Sequence, residues 1–265
     1  MTNGVDVSYA QGYINWNVLK DKIDFAILRC ARGAYSSTEH RSQTDARFVN
    51  NQRECEKYHI PYGVYFFSYA ISYEQAKEEG RYCLSLIKGH TLDYPVYYDF
   101  EYDSADQYKK SNGIDVSPSF VCECTKLFCE EIRKGGYYSA VYTNEDYIAR
   151  YYGEQFFHKY DLWLADWRRN GNKRNAKMWQ TGKGNFSGFK QDFDLDQCYF
   201  DYPAYMKNNH INGYPKPNML SLHDIALEVI EGKWGAGEYR KKALLKAGYS
   251  YADVQAEVNK MLGYK

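Results

Sequence analysis

Along residues 1–200 the apolar positions fall into eight short runs bounded by turn residues: 4–8, 25–31, 62–70, 95–103, 137–144, 161–167, 176–181 and 193–200. Between the early runs the period lengthens to that of a helix, over 16–22, 40–59, 73–88, 117–134 and 145–160. Ser117 and Pro118 supply an N-cap and a first-turn proline, and Gly135-Gly136 a stop. A strand followed by a helix, repeated along the chain, predicts a parallel sheet with right-handed crossovers; eight strands predict that it closes. The gaps 168–175 and 182–192 are too short for a crossover helix. The expected fold class is therefore α/β: an irregular, incomplete (β/α)8-like barrel whose last strands are joined by hairpins or loops.

Residues 201–219 are rich in Pro, Asn and Gly and carry no period, as a linker does. Beyond them, Ser221 and Asp224 set a capping pattern for a helix with the stripe Leu222, Ile225, Ala226, Val229 and Ile230, stopped at Gly232. A second helix is predicted over 238–247, and a third from Ser250 that carries Val254, Val258, Met261 and Leu262. The expected division is a barrel domain 1–205, a linker 206–219 and a small all-α three-helix module 220–265. A module near the lower size limit for independent folding suits binding better than catalysis.

Composition narrows the chemistry. Lys plus Arg equals Asp plus Glu at 34 each, so no net field draws the chain to nucleic acid or a membrane surface. No apolar run has the length of a membrane span. Seven cysteines are odd in number and scattered, unlike a disulfide framework. Cys122, Cys124 and Cys129 fall in a helical pattern without a matching Cys or His pair, so no metal site is expected. Without HExxH, a phosphate loop or G-x-S-x-G, no cofactor is expected either. Residues 1–6 lack the basic stretch and apolar core of a signal peptide, which predicts folding in a reducing cytoplasm. The 29 tyrosines stand out, and their flat apolar faces with a polar tip suit sugar rings.

In the run 95–103, strand alternation places Asp99 and Glu101 on one face, with Val96, Tyr98 and Phe100 on the other. At roughly 3.3 Å per residue the two acids stand about 6.6 Å apart along the strand. Like charges that near push one of the two acids to keep its proton near neutral pH. Such a pair is what glycosidic cleavage needs. A lone D-x-E is more often a solvated strand end. Acids recur, however, at Asp6 in the first strand and Asp194 in the eighth, and closure would bring all four to one mouth. Tyr65, Phe67 and Tyr69 share a face of the third strand, and Trp163, Ala165 and Trp167 one of the sixth. Near the acids these rings would line a saccharide trough. Asp166 has the opposite parity and falls outside it.

Several segments, taken in order, carry a family resemblance: Gly4-Val5-Asp6-Val7-Ser8, Tyr62-Gly63-Val64-Tyr65, Asp99-Phe100-Glu101, Tyr142-Thr143-Asn144, Leu162-Trp163-Leu164-Ala165, Trp179-Gln180 and Phe193-Asp194-Leu195-Asp196. Over residues 3–205 the chain resembles the Chalaropsis-type lysozymes, glycoside hydrolase family 25. The resemblance implies cleavage of the β-1,4 bond between N-acetylmuramic acid and N-acetylglucosamine in bacterial peptidoglycan; the closeness of the two acids, which leaves little room for an inverting water, predicts retention of configuration. It implies Glu101 as general acid, with Asp99, Asp6 and Asp194 as supporting carboxylates. Tyr65, Phe67, Tyr69, Tyr142, Trp163, Trp167 and Gln180 are the expected substrate contacts. Asp196 is a near neighbour, but the family's hydrophobic-Asp pair falls on Phe193-Asp194. A histidine often seen in the third strand is replaced by Phe66 or Phe67.

Residues 221–262, through Glu228-Val229-Ile230-Glu231-Gly232-Lys233-Trp234-Gly235, Arg240-Lys241 and Ala247-Gly248-Tyr249, resemble the three-helix cell-wall-binding repeat of some phage lysozymes. Trp234, Arg240 and Tyr249 are the wall contacts this implies. One copy lacks the effective concentration that tandem copies give, so self-association through the module is the expected supplement. Together these readings predict a phage endolysin that waits in the host bacterial cytoplasm until lysis and then acts on the wall. The alternatives are an autolysin of the same chemistry, a non-catalytic wall-binding protein and a chitinase-like hydrolase.

Overall fold

Every one of the eight apolar runs contributes a strand, and a ninth, two-residue strand joins them. The computed structural model describes residues 1–34, 42–168, 171–172, 174–215 and 220–264. The strands are β1 (Thr2–Val7), β2 (Phe25–Arg32), β3 (Gln43–Thr44), β4 (Tyr62–Phe67), β5 (Val96–Asp99), β6 (Ser139–Asn144), β7 (Leu162–Ala165), β8 (Met178–Gly184) and β9 (Phe193–Cys198). All but β3 form a closed ring, because β1 pairs with both β2 and β9. Neighbours from β1 round to β8 are parallel, whereas β9 runs antiparallel to both β8 and β1. The expected α/β barrel with a hairpin at its end is what forms, and among the described residues between β7 and β8 there is no helix.

Alternation along the strands sorts the side chains. Phe25, Ile27, Tyr65, Tyr97, Ala140, Trp163, Met178 and Cys198 pack together inside the ring. The opposite parity, including Val5, Val7, Leu28, Val64, Phe66, Val96, Tyr98 and Val141, packs beneath the surrounding helices. Those helices are α1 (Trp16–Leu19), α2 (Phe48–Tyr58), α3 (Tyr73–Ile87), α4 (Tyr102–Asn112), α5 (Pro118–Lys134) and the single turn α6 (Glu145–Tyr147). Ser117 caps α5 as its sequence predicts, its Oγ accepting the Phe120 N–H at 3.2 Å. Cys124 and Cys129 are buried on α5, and the Cys122 thiol donates to the Tyr151 carbonyl.

Four expectations are corrected. The strand expected over 95–103 ends at Asp99, and Glu101 is instead the N-cap of α4. Helix α4 is polar on most sides and has no apolar stripe to announce it. The helix expected over 40–59 begins only at Phe48: β3 and the turn at Asp45 precede it, and 40–41 lie outside the described residues. The stretch 145–160 is not one helix. It breaks at Gly153, whose φ of 67° is left-handed, into a π turn (Ile148–Tyr152) and a 3-10 turn (Glu154–His158).

The fourth concerns the linker. Residues 202–209 form a helix, α7 (Tyr202–Asn209), capped by Asp201 Oδ1, which accepts the Ala204 N–H. Tyr202 and Met206 are fully buried, four residues apart on one face, and both belong to the barrel's inner cluster. Asn212, also fully buried and left-handed at φ 56°, donates its Nδ2 to the Tyr94 carbonyl at 2.9 Å and accepts the Tyr138 N–H on Oδ1. The chain accordingly divides into Met1–Tyr214 and Pro215–Lys265, with 206–214 belonging to the barrel. Positions 216–219 of the expected linker lie outside the described residues.

The second unit holds α8 (Leu222–Ile230), α9 (Gly237–Lys246) and α10 (Tyr251–Met261) around Ile225, Ala226, Val229, Leu244, Tyr249, Val254 and Val258. Ser221 and Ser250 cap α8 and α10, and the stripe ends Leu222 and Ile230 are exposed.

Replacing Asn212 strands two backbone groups inside the barrel floor. At about 1–3 kcal/mol for each unsatisfied group, Asn212→Ala is expected to lose several kcal/mol in urea unfolding. A true linker position would lose almost nothing.

Candidate active site

The barrel's register assembles one cluster of acids at its mouth. Asp6 stands directly opposite Asp194 across the antiparallel β1–β9 pair, and Lys183 opposite Asp194 across β8–β9. On the other side Phe67, Asp99 and Tyr142 are in register across β4, β5 and β6. Glu101, past the end of β5, sits in extended backbone at φ −123° and ψ −165°, where α4 starts. Asp6, Asp99, Glu101 and Asp194 line one cavity of about 200 Å³. Its walls are completed by Arg29, Tyr65, Phe67, Tyr142, Trp163, Trp167, Gln180 and Lys183.

Burial dominates the electrostatics. Glu101 is pushed up to about 7, first by removal from water and then by the charges of Asp103 and Asp194, against a hydrogen bond from Tyr142. Asp99 is driven well above the carboxylate range by burial and then by Glu101 and Asp6. Its Oδ1 is buried with no hydrogen-bond partner among the described residues. The proton expected on Glu101 is thus held there chiefly by desolvation, not by an ionised Asp99. The two acids titrate as a pair that keeps a proton near neutrality.

Asp6 is pushed up to about 8 by burial and then by Asp194, although Gln180 Nε2 donates to its Oδ2 at 2.7 Å. Gln180 Oε1 in turn accepts from the Tyr142 hydroxyl at 3.1 Å and the Trp167 indole at 3.0 Å. One amide therefore ties Asp6 to two rings of the wall. Asp194 is also raised by burial, with Lys183, 4.0 Å away, pulling it back down.

Most of the expected contacts meet at the cavity, with differences of role. Trp163 is 1% exposed, packs edge-on against Tyr65, Tyr97 and Tyr142, and donates its indole N–H to Asp196 at 2.8 Å. It is floor, whereas Trp167, 53% exposed, is the ring a sugar could stack on. Tyr69 lines an adjoining cavity of about 610 Å³ with Tyr9, Arg32, Asp45 and Asp103; Arg29 and Phe67 border both. Asp166 lies outside both, bound to Arg168 at 2.6 Å.

Arg29, Lys183 and Asp196 were not anticipated in the site. Arg29 was legible in principle: it has the inward parity of Phe25 and Ile27 in a buried strand, where a cation needs a partner. That partner is Asp45, 2.7 Å from the guanidinium, which also lies over the Tyr9 ring. Asp196 lies one inward position beyond Asp194, is buried, and is pushed well up by burial and then by Asp6. Among the described residues no group of three or more His, Cys, Asp or Glu side chains is arranged to hold a metal ion.

In the second unit Tyr249 is turned into the core, edge-on to Trp234, with its hydroxyl oxygen accepting the Leu220 N–H at 2.7 Å. Trp234 is half-buried and donates to Glu228, and Arg240 donates to the Gly235 carbonyl. Tyr249 is thus a structural residue of the module and not the outward wall contact expected of it.

Comparison with known proteins agrees with this fold. Solved structures that share the fold include the modular autolysin LytC of Streptococcus pneumoniae in complex with a synthetic peptidoglycan ligand. It is 22% identical with a TM-score of 0.62, over 74% of this chain but only 46% of that one. The chain thus spans about half the length of LytC. A family 25 glycosyl hydrolase of Bacillus anthracis is 20% identical at TM-score 0.61, over 77% of this chain and 92% of its own. The CTP1L endolysin is 16% identical at TM-score 0.60, over 99% of this chain and 100% of its own. A search of curated proteins finds no match. Residues 223–262 match the CW_7 repeat. Residues 5–189 match the glycosyl hydrolases family 25, and the chain belongs to that family.

Proposed function

We propose that the chain is an N-acetylmuramidase that cuts the β-1,4 bond from N-acetylmuramic acid to N-acetylglucosamine, and that it serves as a phage endolysin. The observation that carries the chemistry is the meeting of four carboxylates in one cavity, with Glu101 poised at about 7. Glu101 in its acid form donates a proton to the leaving oxygen. In the form of the pair that leaves the shared proton on Glu101, the ionised Asp99 either attacks the developing cation or orients the substrate's own acetamido group to do so. Lys183 favours the charged form of Asp194, which then faces the oxocarbenium-like centre. Asp6, neutral below about 8, offers a hydrogen-bond donor to the sugar. Two acids only two residues apart on the wall of one cavity leave little room for an inverting water between them, which favours retention.

The endolysin role has separate support. A protein named as an endolysin aligns over nearly all of both chains, and a cell-wall type of repeat follows the barrel. The module is read as the wall anchor, through Trp234, Arg240 and the exposed Tyr239. LytC, named as an autolysin, keeps that role as the second reading.

A cluster of buried acids costs stability, which argues that it is kept for its chemistry. Asp6 titrates near 8 in the fold against an ordinary 3.8, so the folded state holds the proton more tightly. Its contribution is fully present below about 4 and is lost as pH rises towards 8.

Four outcomes test the proposal. Mass spectrometry of fragments from purified peptidoglycan should find reducing muramic acid ends, with retained anomers by NMR. Glu101→Gln should release about 10²–10⁴-fold less while still binding walls; reducing glucosamine ends or near-normal release would defeat the assignment. Produced inside a host cell, the chain should lyse it only after the membrane is permeabilised; lysis of intact cells would favour the exported autolysin. Finally, the melting-temperature gain of Asp6→Asn over wild type should grow between pH 5 and pH 9, and a constant difference would count against the buried, proton-holding Asp6.

A further inference from the structure

Away from the cavity, on the outer side of β4 and β5, a buried polar chain runs through groups that the chemistry above does not use. Its centre is Ser68, just past the end of β4 and fully buried. The Ser68 N–H donates to the Asp99 carbonyl at 2.8 Å, extending the β4–β5 ladder by one rung beyond the strand. The Ser68 carbonyl accepts the Ser104 hydroxyl at 2.6 Å, and Ser104 Oγ accepts the Glu101 N–H at 3.0 Å. One residue of β4 thereby holds the main chain of both acids, directly at Asp99 and through one hydroxyl at Glu101.

Ser68 is itself fixed from behind. Its hydroxyl donates to Glu79 Oε2 at 2.8 Å, and the Tyr69 N–H donates to Glu79 Oε1 at 3.0 Å. The Tyr98 hydroxyl approaches Ser68 Oγ at 2.7 Å and Glu79 Oε2 at 3.3 Å. Glu79 lies on α3, is buried, and reaches this point only because residue 33 is glycine: a Cβ there would stand 2.1 Å from Glu79 Oε1. An acid sunk in the helical layer and spent on a turn of backbone is expensive for a fold to keep unless the turn must be exact in place.

We propose that Ser104 is a positioning residue for Glu101, and that buried Glu79, acting through Ser68, holds the same device in place. Glu101 has left the strand, so no ladder bond sets the direction of its Cα–Cβ bond. The Ser104 hydroxyl replaces that bond and ties the start of α4 to the strand that already holds Asp99. The spacing between the proton donor and its partner acid is thus set through Ser68 and not by β5, which carries Asp99 alone. A donor misplaced by about 1 Å can lose on the order of 100-fold in rate.

The inference rests on Glu101 being the general acid. Its test is kcat and KM on a soluble peptidoglycan glycan, across pH, for Ser104→Ala, Ser104→Thr and Glu79→Ala, beside Glu101→Gln and wild type. Ser104→Ala should lower kcat roughly 10- to 100-fold with KM within about twofold, and should move the alkaline limb that Glu101 sets near 7. Ser104→Thr, which keeps the hydroxyl, should recover most of kcat, and Glu79→Ala should fall in the same direction as Ser104→Ala. A Ser104→Ala enzyme that melts lower yet keeps wild-type kcat and pH limb overturns the inference. So does a Ser104→Thr enzyme that folds and is no better than the alanine variant, and this comparison decides the matter if Ser104→Ala does not fold. A fully active Glu101→Gln would instead bring down the underlying functional reading.

Discussion

Strand β9 enters the ring against the direction of its neighbours, and its pairing with β1 both closes the barrel and sets Asp194 opposite Asp6. A parallel last strand would have needed a crossover helix and would have delivered its far end to the mouth. Because β8 turns straight back into β9 through residues 185–192, the start of β9 reaches the mouth instead. Asp194 and Asp196 therefore face inward near the top, and Cys198 lies deeper, in the inner cluster. Everything else in the site is arranged around the charge this closure concentrates.

That charge is managed more by burial than by pairing. Arg29 borders the cavity but spends its guanidinium on Asp45, and Lys183 stands at the rim, 4.0 Å from Asp194. The remaining acids escape mutual repulsion by holding protons, which is what desolvation favours. Gln180 adds a neutral brace: it gives a hydrogen bond to Asp6 and takes two from the walls. A site built this way keeps an acid ready to donate and needs no resident cation to do so.

Much of this could be read from the chain. Period-2 alternation in the eight runs gave the strands, and closure of the sheet predicted that Asp6, Asp99 and Asp194 meet at one mouth. What escaped has physical reasons. Helix α4 has no apolar stripe, so the switch from strand to helix at Phe100 left no trace in the periodicity, and Glu101 passed for a strand residue. Helix α7 is short, and its two buried anchors, Tyr202 and Met206, were masked by the Asn- and Pro-rich residues around them. Arg29 and Asp45 find each other across sixteen positions, and Glu79 meets Ser68 across eleven. Such pairings depend on how strands and helices stack, which alternation along one segment does not encode.

Asn212 joins residues 118 and 74 positions earlier in the chain, and β1 is completed only by a strand that ends at Cys198. These contacts are remote in sequence, and contacts of that kind form late and slowly. A ribosome making this chain would therefore release nearly the whole barrel before its floor could be sealed or its mouth assembled. Until β9 has emerged, β1 lacks its second neighbour, and the acids stand on open strands where water reaches them.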